Sequence, residues 1–419
     1  MAEFVSPRGT KDVLPQDTPK WQYVETKFKE VAGVYGFKEI RTPTFEHTEL
    51  FSRNLGESTD VVSKEMYSFT DRGERNITLR PEGTAPAMRA YVQHNLGSIL
   101  SVNKLYYIAR LFRYERPQAG RYREHTQLGI EAVGSADPAT DAEVISLAVS
   151  FFKKIGLKDY TLKLNSIGCP DCRPNYRKAL LEFAQSIVGE LCGTCANRYE
   201  TNPMRMLDCK EPKCSSILLE APKLTNYLCD SCAVHFNQVK KHLDNLDIKY
   251  ILDHKLVRGF DYYTRTAFEF ISGELGAQNA IGGGGRYDNM ISELGGAPTP
   301  SIGFGIGLER LMLTLEALGI ELPVIVSPKA YLVLAGEEAK LYGLPLAVKM
   351  REAGIFTEAD YSGRSFKAQM KSVNKYNAAY AVIIGDNELN SKKASVKNMN
   401  TSEQTEVPFD KLIEYFNEL

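Results

Sequence analysis

Four consecutive glycines, Gly282 to Gly285, constrain this chain more than any other run in it. Successive glycines lose the most conformational entropy on folding, so they persist where a ligand or a second backbone must come very close. Arg286, Tyr287 and Asp288 follow directly, and the run LVRGFDYYTRTAFEF, Leu256 to Phe270, comes shortly before. Within six residues that run offers a fixed cation (Arg258), a carboxylate (Asp261) and two phenols (Tyr262, Tyr263). A core strand has no use for such a set. The two runs read as the wall of a pocket for a small, polar, charged ligand.

At 419 residues the chain has room for two or three domains with cores of their own. With 43% hydrophobic and 25% charged residues it has the composition of a soluble globular protein. No apolar run approaches the roughly 18 residues of a membrane span. The start, MAEFVSPRGTKD, lacks the apolar core of a signal peptide. The expectation is a cytoplasmic protein with no membrane partner. A formal net charge of -1 argues against non-specific coating of nucleic acid but leaves local basic patches open.

The eight cysteines fall into pairs: Cys169 with Cys172, Cys192 with Cys195, Cys209 with Cys214, Cys229 with Cys232. In a cytoplasmic protein such pairs favour metal or redox chemistry over disulfides. The 19 residues between Cys172 and Cys192 fit the spacing of a zinc ribbon. Structural zinc and small buried thiols both stay open at this point, and no residue is assigned as a metal ligand.

Apolar spacing predicts a helix over 18–35, with Thr18 as N-cap and Pro19 behind it. Strands are expected at 38–41 and 77–80, the latter running into PEGT and a helix over 84–94. Strands at 105–113 and 125–133 read as a hairpin with a long, arginine-rich loop. A helix over 140–154 and a strand at 162–165 follow, and 169–246 reads as a mostly helical insertion. Strands at 260–271 and 301–305 and a helix over 307–318 continue the earlier pattern. Beyond Pro323 and Pro328, strands at 331–335, 356–359 and 379–384 alternate with helices as a small α/β domain.

Five arginines lie between Ala109 and Glu124: Arg110, Arg113, Arg116, Arg121 and Arg123. Guanidinium forks bind phosphate bidentately and stay charged. Gln127 and Glu131, four apart on the returning strand, share one face, with apolar Leu128 and Ile130 on the other. A polar pocket floor follows. Glu82 and Thr84, at a helix start, fit either a capping arrangement or a receptor for an amine. GFGIGLERLML, Gly303 to Leu313, is a glycine-rich strand feeding a helix with Glu309 and Arg310 in its first turn; it matches neither the dinucleotide nor the P-loop fingerprint.

Together these elements resemble class II aminoacyl-tRNA synthetases, whose three motifs look like 18–43, 105–131 and 300–313 here. LVRGFDYY, GGGGRYD and the opening RGTKDVLP resemble the histidyl-tRNA synthetase family, and the likeness runs essentially end to end. The resemblance implies a multidomain α/β and α+β fold. A catalytic domain built on an antiparallel sheet (1–168 and 247–322) would be interrupted by the helical insertion (169–246) and followed by an anticodon-binding domain (328–419). It implies activation of histidine by ATP with Mg²⁺, transfer to tRNA(His), and a homodimer. By matching motif, Arg113, Arg121, His125 and Arg310 would bind ATP, with His125 standing where the family often has an aromatic ring against adenine. Glu82, Thr84 and Gln127 would hold the amino and carboxylate groups of histidine. Glu131 with Tyr262 or Tyr263 would read its imidazole, and Arg258 would bridge its carboxylate and the α-phosphate. In the last domain, Arg364, Lys367, Lys371 and Lys375 are spaced 3, 4 and 4 on one expected helical face, with no acid between Tyr361 and Gly385, which suggests RNA contact. The alternative is a histidine-sensing regulatory subunit of an ATP phosphoribosyltransferase, a binding module of the same superfamily that typically lacks the last domain and loses active-site arginines.

Overall fold

The computed structural model describes residues 4–56, 59–273 and 280–419. They form two compact units, Met1–Leu322 and Pro323–Leu419. The first unit runs α1 (Thr18–Val34), β1 (Lys38–Glu39), β2 (Phe45–His47), α2 (Thr48–Leu55), β3 (Tyr67–Thr70), β4 (Asn76–Leu79), α3 (Thr84–Gln93), β5 (Asn103–Phe112), β6 (Glu124–Val133), α4 (Pro138–Lys154) and β7 (Thr161–Ser166). The insertion contributes α5 (Arg173–Gln185), α6 (Gly193–Thr201), α7 (Pro212–Ile217) and α8 (Asp230–Asn245). β8 (Ile251–Leu252), β9 (Thr264–Ile271), β10 (Ala280–Arg286), α9 (Met290–Glu293), β11 (Ser301–Gly307) and α10 (Leu308–Ala317) complete it.

An eight-stranded sheet, ordered β1-β5-β6-β11-β10-β9-β7-β8, organises this unit. Its central pairs are antiparallel, and the two-residue strands β1 and β8 join the edges in parallel. The expected hairpin is β5 and β6, in register from Asn103–Val133 to Phe112–Glu124. Strand side chains alternate, so the sheet has two unlike faces. On one, Leu128 and Ile130 of β6, Phe268 and Phe270 of β9 and Ile302, Phe304 and Ile306 of β11 pack against Val24 and Phe28 of α1, Phe151 of α4 and Val239 of α8. On the other, β10 and β11 present mainly glycine.

α1 has the expected apolar face, but its N-cap is Asp17, one residue earlier than read from sequence, and the Thr18 hydroxyl donates to the Leu14 carbonyl at 3.0 Å. Thr18 is thereby drawn into the turn before the helix. Among the described residues no helix is long and apolar enough to cross a membrane.

The second unit has β12 (Ala330–Leu334), α11 (Glu337–Glu352), β13 (Thr357–Ala359), α12 (Phe366–Lys375), β14 (Tyr380–Ile384), α13 (Asp386–Ser391), β15 (Lys393–Asn398), β16 (Gln404–Pro408) and α14 (Leu412–Glu418). Its sheet order is β13-β12-β14-β15-β16, the first three parallel and the last two antiparallel. The β15–β16 pair is absent from the sequence reading. Its alternation is masked by Lys393, Ser395 and Lys397 on one strand and by polar Gln404 to Glu406 on the other.

Candidate functional site

The glycine face floors a cleft of about 590 Å³. Its wall brings together Glu82, Thr84, Arg113, Arg121, His125, Gln127, Arg258, Tyr262, Tyr263 and Arg310, drawn from four separate stretches of chain. The floor is bare for a steric reason. A Cβ at Gly303 would stand 2.0 Å from Glu131 Oε2, and one at Gly283 would stand 2.7 Å from an Arg258 Nη. The glycines leave space for functional side chains from neighbouring elements to lie flat across the sheet.

Glu131 does not itself line the cleft; it lies behind Thr84 and Tyr287, which do, and is 1% exposed. Its Oε1 accepts from the Thr84 hydroxyl at 2.8 Å and the Tyr107 hydroxyl at 2.9 Å, and its Oε2 accepts from the Tyr287 hydroxyl. Burial pushes its carboxyl up to about 8, while the three hydroxyls pull the other way. Tyr262 and Tyr287, also buried, are held well above the ordinary phenol value and remain protonated donors. Their rings meet edge to face, with centroids 5.7 Å apart, and Tyr262 lies 4.5 Å from Tyr263. Gln127 accepts from the Tyr107 hydroxyl at 3.2 Å. Glu82, 1% exposed, accepts from the backbone N–H groups of Thr84 at 2.7 Å and Ala85 at 2.6 Å. So it does cap the start of α3, and it also lines the cleft.

Cations line the same cleft. Arg113 donates through Nε to the Pro81 carbonyl at 2.7 Å and lies 3.7 Å from Glu115; Arg121 pairs with the other Glu115 oxygen at 3.1 Å. Arg310 donates to the Ala280 carbonyl at 2.8 Å. Arg258 pairs with Glu269 at 3.2 Å and lies over the Tyr263 ring, and its buried Nε has no partner. The insertion reaches in as well: an Arg205 Nη donates to the Arg258 carbonyl at 3.1 Å. His125 lies among these arginines. Burial, with Arg113 and Arg310 nearby, lowers its imidazole to about 3, so it is neutral at physiological pH, with Nδ1 unpartnered.

Sequence reasoning left several contributors unassigned. Tyr107 pairs with Gly129 across β5–β6, which puts its phenol between Gln127 and Glu131; the two-residue period of β5 could have found it. Tyr287 belongs to the glycine run, yet nothing local aims it at Glu131. Arg286, beside it, departs from the pocket-wall reading. It is fully buried away from the cleft, donating to Asp141 at 2.8 and 2.7 Å, to Asp288 at 3.1 Å and to the Ser135 and Asp137 carbonyls. Successive strand residues face opposite sides of the sheet; Gly283 and Gly285 take the cleft face, so Arg286 falls on the other.

In the second unit, Lys367, Lys371 and Lys375 lie exposed along α12. Arg364 does not share that helix, which starts at Phe366 after the N-cap Ser365. Its guanidinium is tied back to Asp360 at 2.6 Å and Ser372 at 2.9 Å. The neutralising acid lies one residue before the acid-free window read from the sequence.

A class II aminoacyl-tRNA synthetase with an anticodon-binding domain is what this fold and cleft define. The histidyl-tRNA synthetase family matches over residues 9–186 and 194–311, and the anticodon binding domain over 327–419. The histidine–tRNA ligase of Caldanaerobacter subterraneus subsp. tengcongensis is 54% identical over 97% of this chain and 98% of its own length. That of Halothermothrix orenii is 52% identical over 99% of both. The crystal structure of apo Staphylococcus aureus histidyl-tRNA synthetase, 40% identical, superposes with a TM-score of 0.82 over 99% of each chain. The chain belongs to the histidyl-tRNA synthetase family. This full-length likeness, including the anticodon-binding domain, favours the ligase over the regulatory subunit.

Proposed function

We propose that the cleft joins histidine to ATP as histidyl-adenylate and then passes histidine to the 3′-terminal ribose of tRNA(His). The observation that carries this reading is a single cleft lined by Arg113, Arg121, Arg258 and Arg310 and by Thr84 and Tyr287, whose hydroxyls hold the buried Glu131 carboxyl. An imidazole has two nitrogens, and a carboxyl group with neighbouring phenols complements both. Glu131 and Tyr262 or Tyr263 read the ring. Glu82, Thr84 and Gln127 hold the amino and carboxylate groups.

Arg113, Arg121 and Arg310 bind the phosphates, and neutral His125 stacks on adenine without adding charge. Arg258 bridges the histidine carboxylate and the α-phosphate. It offsets their repulsion as the carboxylate attacks phosphorus in line and pyrophosphate leaves. The ribose hydroxyl then attacks the adenylate carbonyl, and AMP departs. Glu115 and Glu269 line the cleft as oxygen donors suited to Mg²⁺, and would hold it beside the phosphates. The ion would supply charge neutralisation on pyrophosphate. A cytoplasmic homodimer is part of the same reading, as is RNA contact through Lys367, Lys371 and Lys375, with Arg364 a weaker member because it is already paired. Amino-acid-dependent ATP–pyrophosphate exchange tests the proposal across all twenty amino acids. Exchange with histidine alone supports it, and no exchange with histidine sinks it.

A further inference from the structure

The eight cysteines, which the chemistry of the cleft does not use, are gathered into two sets of four. In one, the sulfurs of Cys169, Cys172, Cys229 and Cys232 all lie within 4.8 Å of one another; in the other, those of Cys192, Cys195, Cys209 and Cys214 do. The grouping differs from the ribbon spacing. Cys172 and Cys192 belong to different sets, and the second set is nested inside the chain segment that the first closes.

We propose that the insertion binds two structural zinc ions, one in each four-cysteine set. Four sulfurs at about 2.3 Å from a tetrahedral zinc lie about 3.8 Å from one another. The distances here are 3.6 Å for Cys169–Cys172, 3.9 Å for Cys169–Cys229 and 3.9 Å for Cys192–Cys209. All eight are free cysteines, so none is joined in a disulfide. Four bare thiols have no reason to converge to that spacing, since S–H is a weak donor and sulfur a weak acceptor.

The surroundings suit thiolates. Cys172 is the N-cap of α5, Cys192 of α6 and Cys229 of α8, so each set sits at the positive end of at least one helix. Backbone N–H groups donate to sulfur in both: Cys229 N–H to Cys172 at 3.1 Å and Cys192 N–H to Cys214 at 3.0 Å. Tetrahedral all-sulfur coordination selects zinc or iron, and zinc needs no redox partner. There is also a structural need. Between α5 and α8 the insertion is built of short helices and single turns, and small segments of this kind commonly rely on metals for stability.

The second set has a further consequence. Cys192 and Cys209 line the cleft together with Arg205, whose guanidinium holds the Arg258 carbonyl. Zinc there would fix the wall that positions Arg258.

The test is elemental analysis of the full chain purified under reducing conditions without chelator. Two zinc per chain is expected. Cys172→Ser should retain one, and Cys195→Ser should retain the other. In case either variant does not fold, a mercurial thiol reagent titrated into the unaltered protein should release both equivalents into a colorimetric chelator. Growth with cobalt should give the charge-transfer and ligand-field bands of tetrahedral tetrathiolate cobalt. Less than about 0.2 zinc per chain with eight titratable thiols would overturn the proposal. Stoichiometric iron, or disulfides in the protein as isolated, would overturn it equally, and a single zinc would overturn one site of the two.

Discussion

Arg258, partly buried, and Arg286, fully buried, stand in neighbouring runs of the chain yet occupy opposite electrostatic situations. Arg286, 0% exposed, spends its donors on Asp141, Asp288 and two carbonyls. Arg258 has one carboxylate, an aromatic face and an idle Nε. A buried donor left without a partner costs roughly 1–3 kcal/mol. Such a cost is tolerated where a ligand completes the set. The satisfied arginine is architecture; the unsatisfied one is the one that the proposed mechanism sets against the reacting groups.

The contrast is open to attack by substitution, and the largest effect is expected at Arg286. Arg286→Ala strands the Asp141 carboxylate, 0% exposed, with only His235 at 3.2 Å. Breaking a buried pair in this way costs about 3–5 kcal/mol. A clear drop in Tm and in the denaturation midpoint should follow, with residual activity tracking the folded fraction. An unchanged Tm would remove Arg286 from the architecture.

Arg258→Lys should do the reverse. The fold should hold, because lysine keeps the charge beside Glu269. The adenylation rate should fall on the order of 10²-fold or more, since lysine lacks the planar fork needed to hold two anions at once. The KM for ATP should change little, with Arg113 and Arg310 intact. Transfer from preformed adenylate to tRNA should suffer less, because the repulsion is over by then. Equal slowing of both steps in single-turnover measurements would make Arg258 a structural residue.

Glu131 extends the comparison to carboxylates. Asp141 is buried but held below its ordinary value, with Arg286 and His235 overcoming the cost of burial. Glu131 has only neutral donors, and burial raises it to about 8. Between its unfolded value, about 4.3, and about 8, the folded chain therefore binds the extra proton, so stability falls as pH rises through that window and levels off above it. Glu131→Gln should flatten this fall, which is on the order of a few kcal/mol across the window. It should also raise the KM for histidine while leaving that for ATP nearly unchanged. Identical pH–stability curves for the two proteins would mean that Glu131 titrates near its ordinary value.

What the sequence disclosed follows a physical pattern. Gln127 and Glu131 were legible because a strand's two-residue period is local, and so were β5, β6 and the arginines between them. Tyr107 and Tyr287 were not, because their place depends on how strands align, which no single strand encodes. The cysteine pairs were legible as halves of clusters. Which halves meet depends on the path of four helices. Arg364 was misplaced by a helix start only two residues later than its spacing assumed, and by an acid at Asp360 just outside the window.

The arginines of the cleft are fixed and the lysines of the second unit are free, and the smallest effect is expected at those lysines. Arg113, Arg258 and Arg310 are each oriented by a carbonyl or carboxylate, so a ligand meets them preorganised. Lys367, Lys371 and Lys375 stand exposed on α12, whose sequence, FKAQMKSVNK, carries no acid. Solvated lysines act on phosphate as point charges and release counterions on contact, so their contribution weakens steadily with salt. Changing all three to Gln should leave ATP–pyrophosphate exchange untouched, since none of them lines the cleft. It should weaken tRNA charging, and each lost phosphate contact should lower the salt slope of tRNA binding by about one. Arg364→Gln, by contrast, should act mainly through stability, because that guanidinium is already engaged by Asp360 and Ser372. If the triple variant kept the full slope, or if Arg364→Gln alone reduced it, the division between preorganised arginines and freely solvated lysines would fail at this surface, and α12 would be an ordinary solvated face.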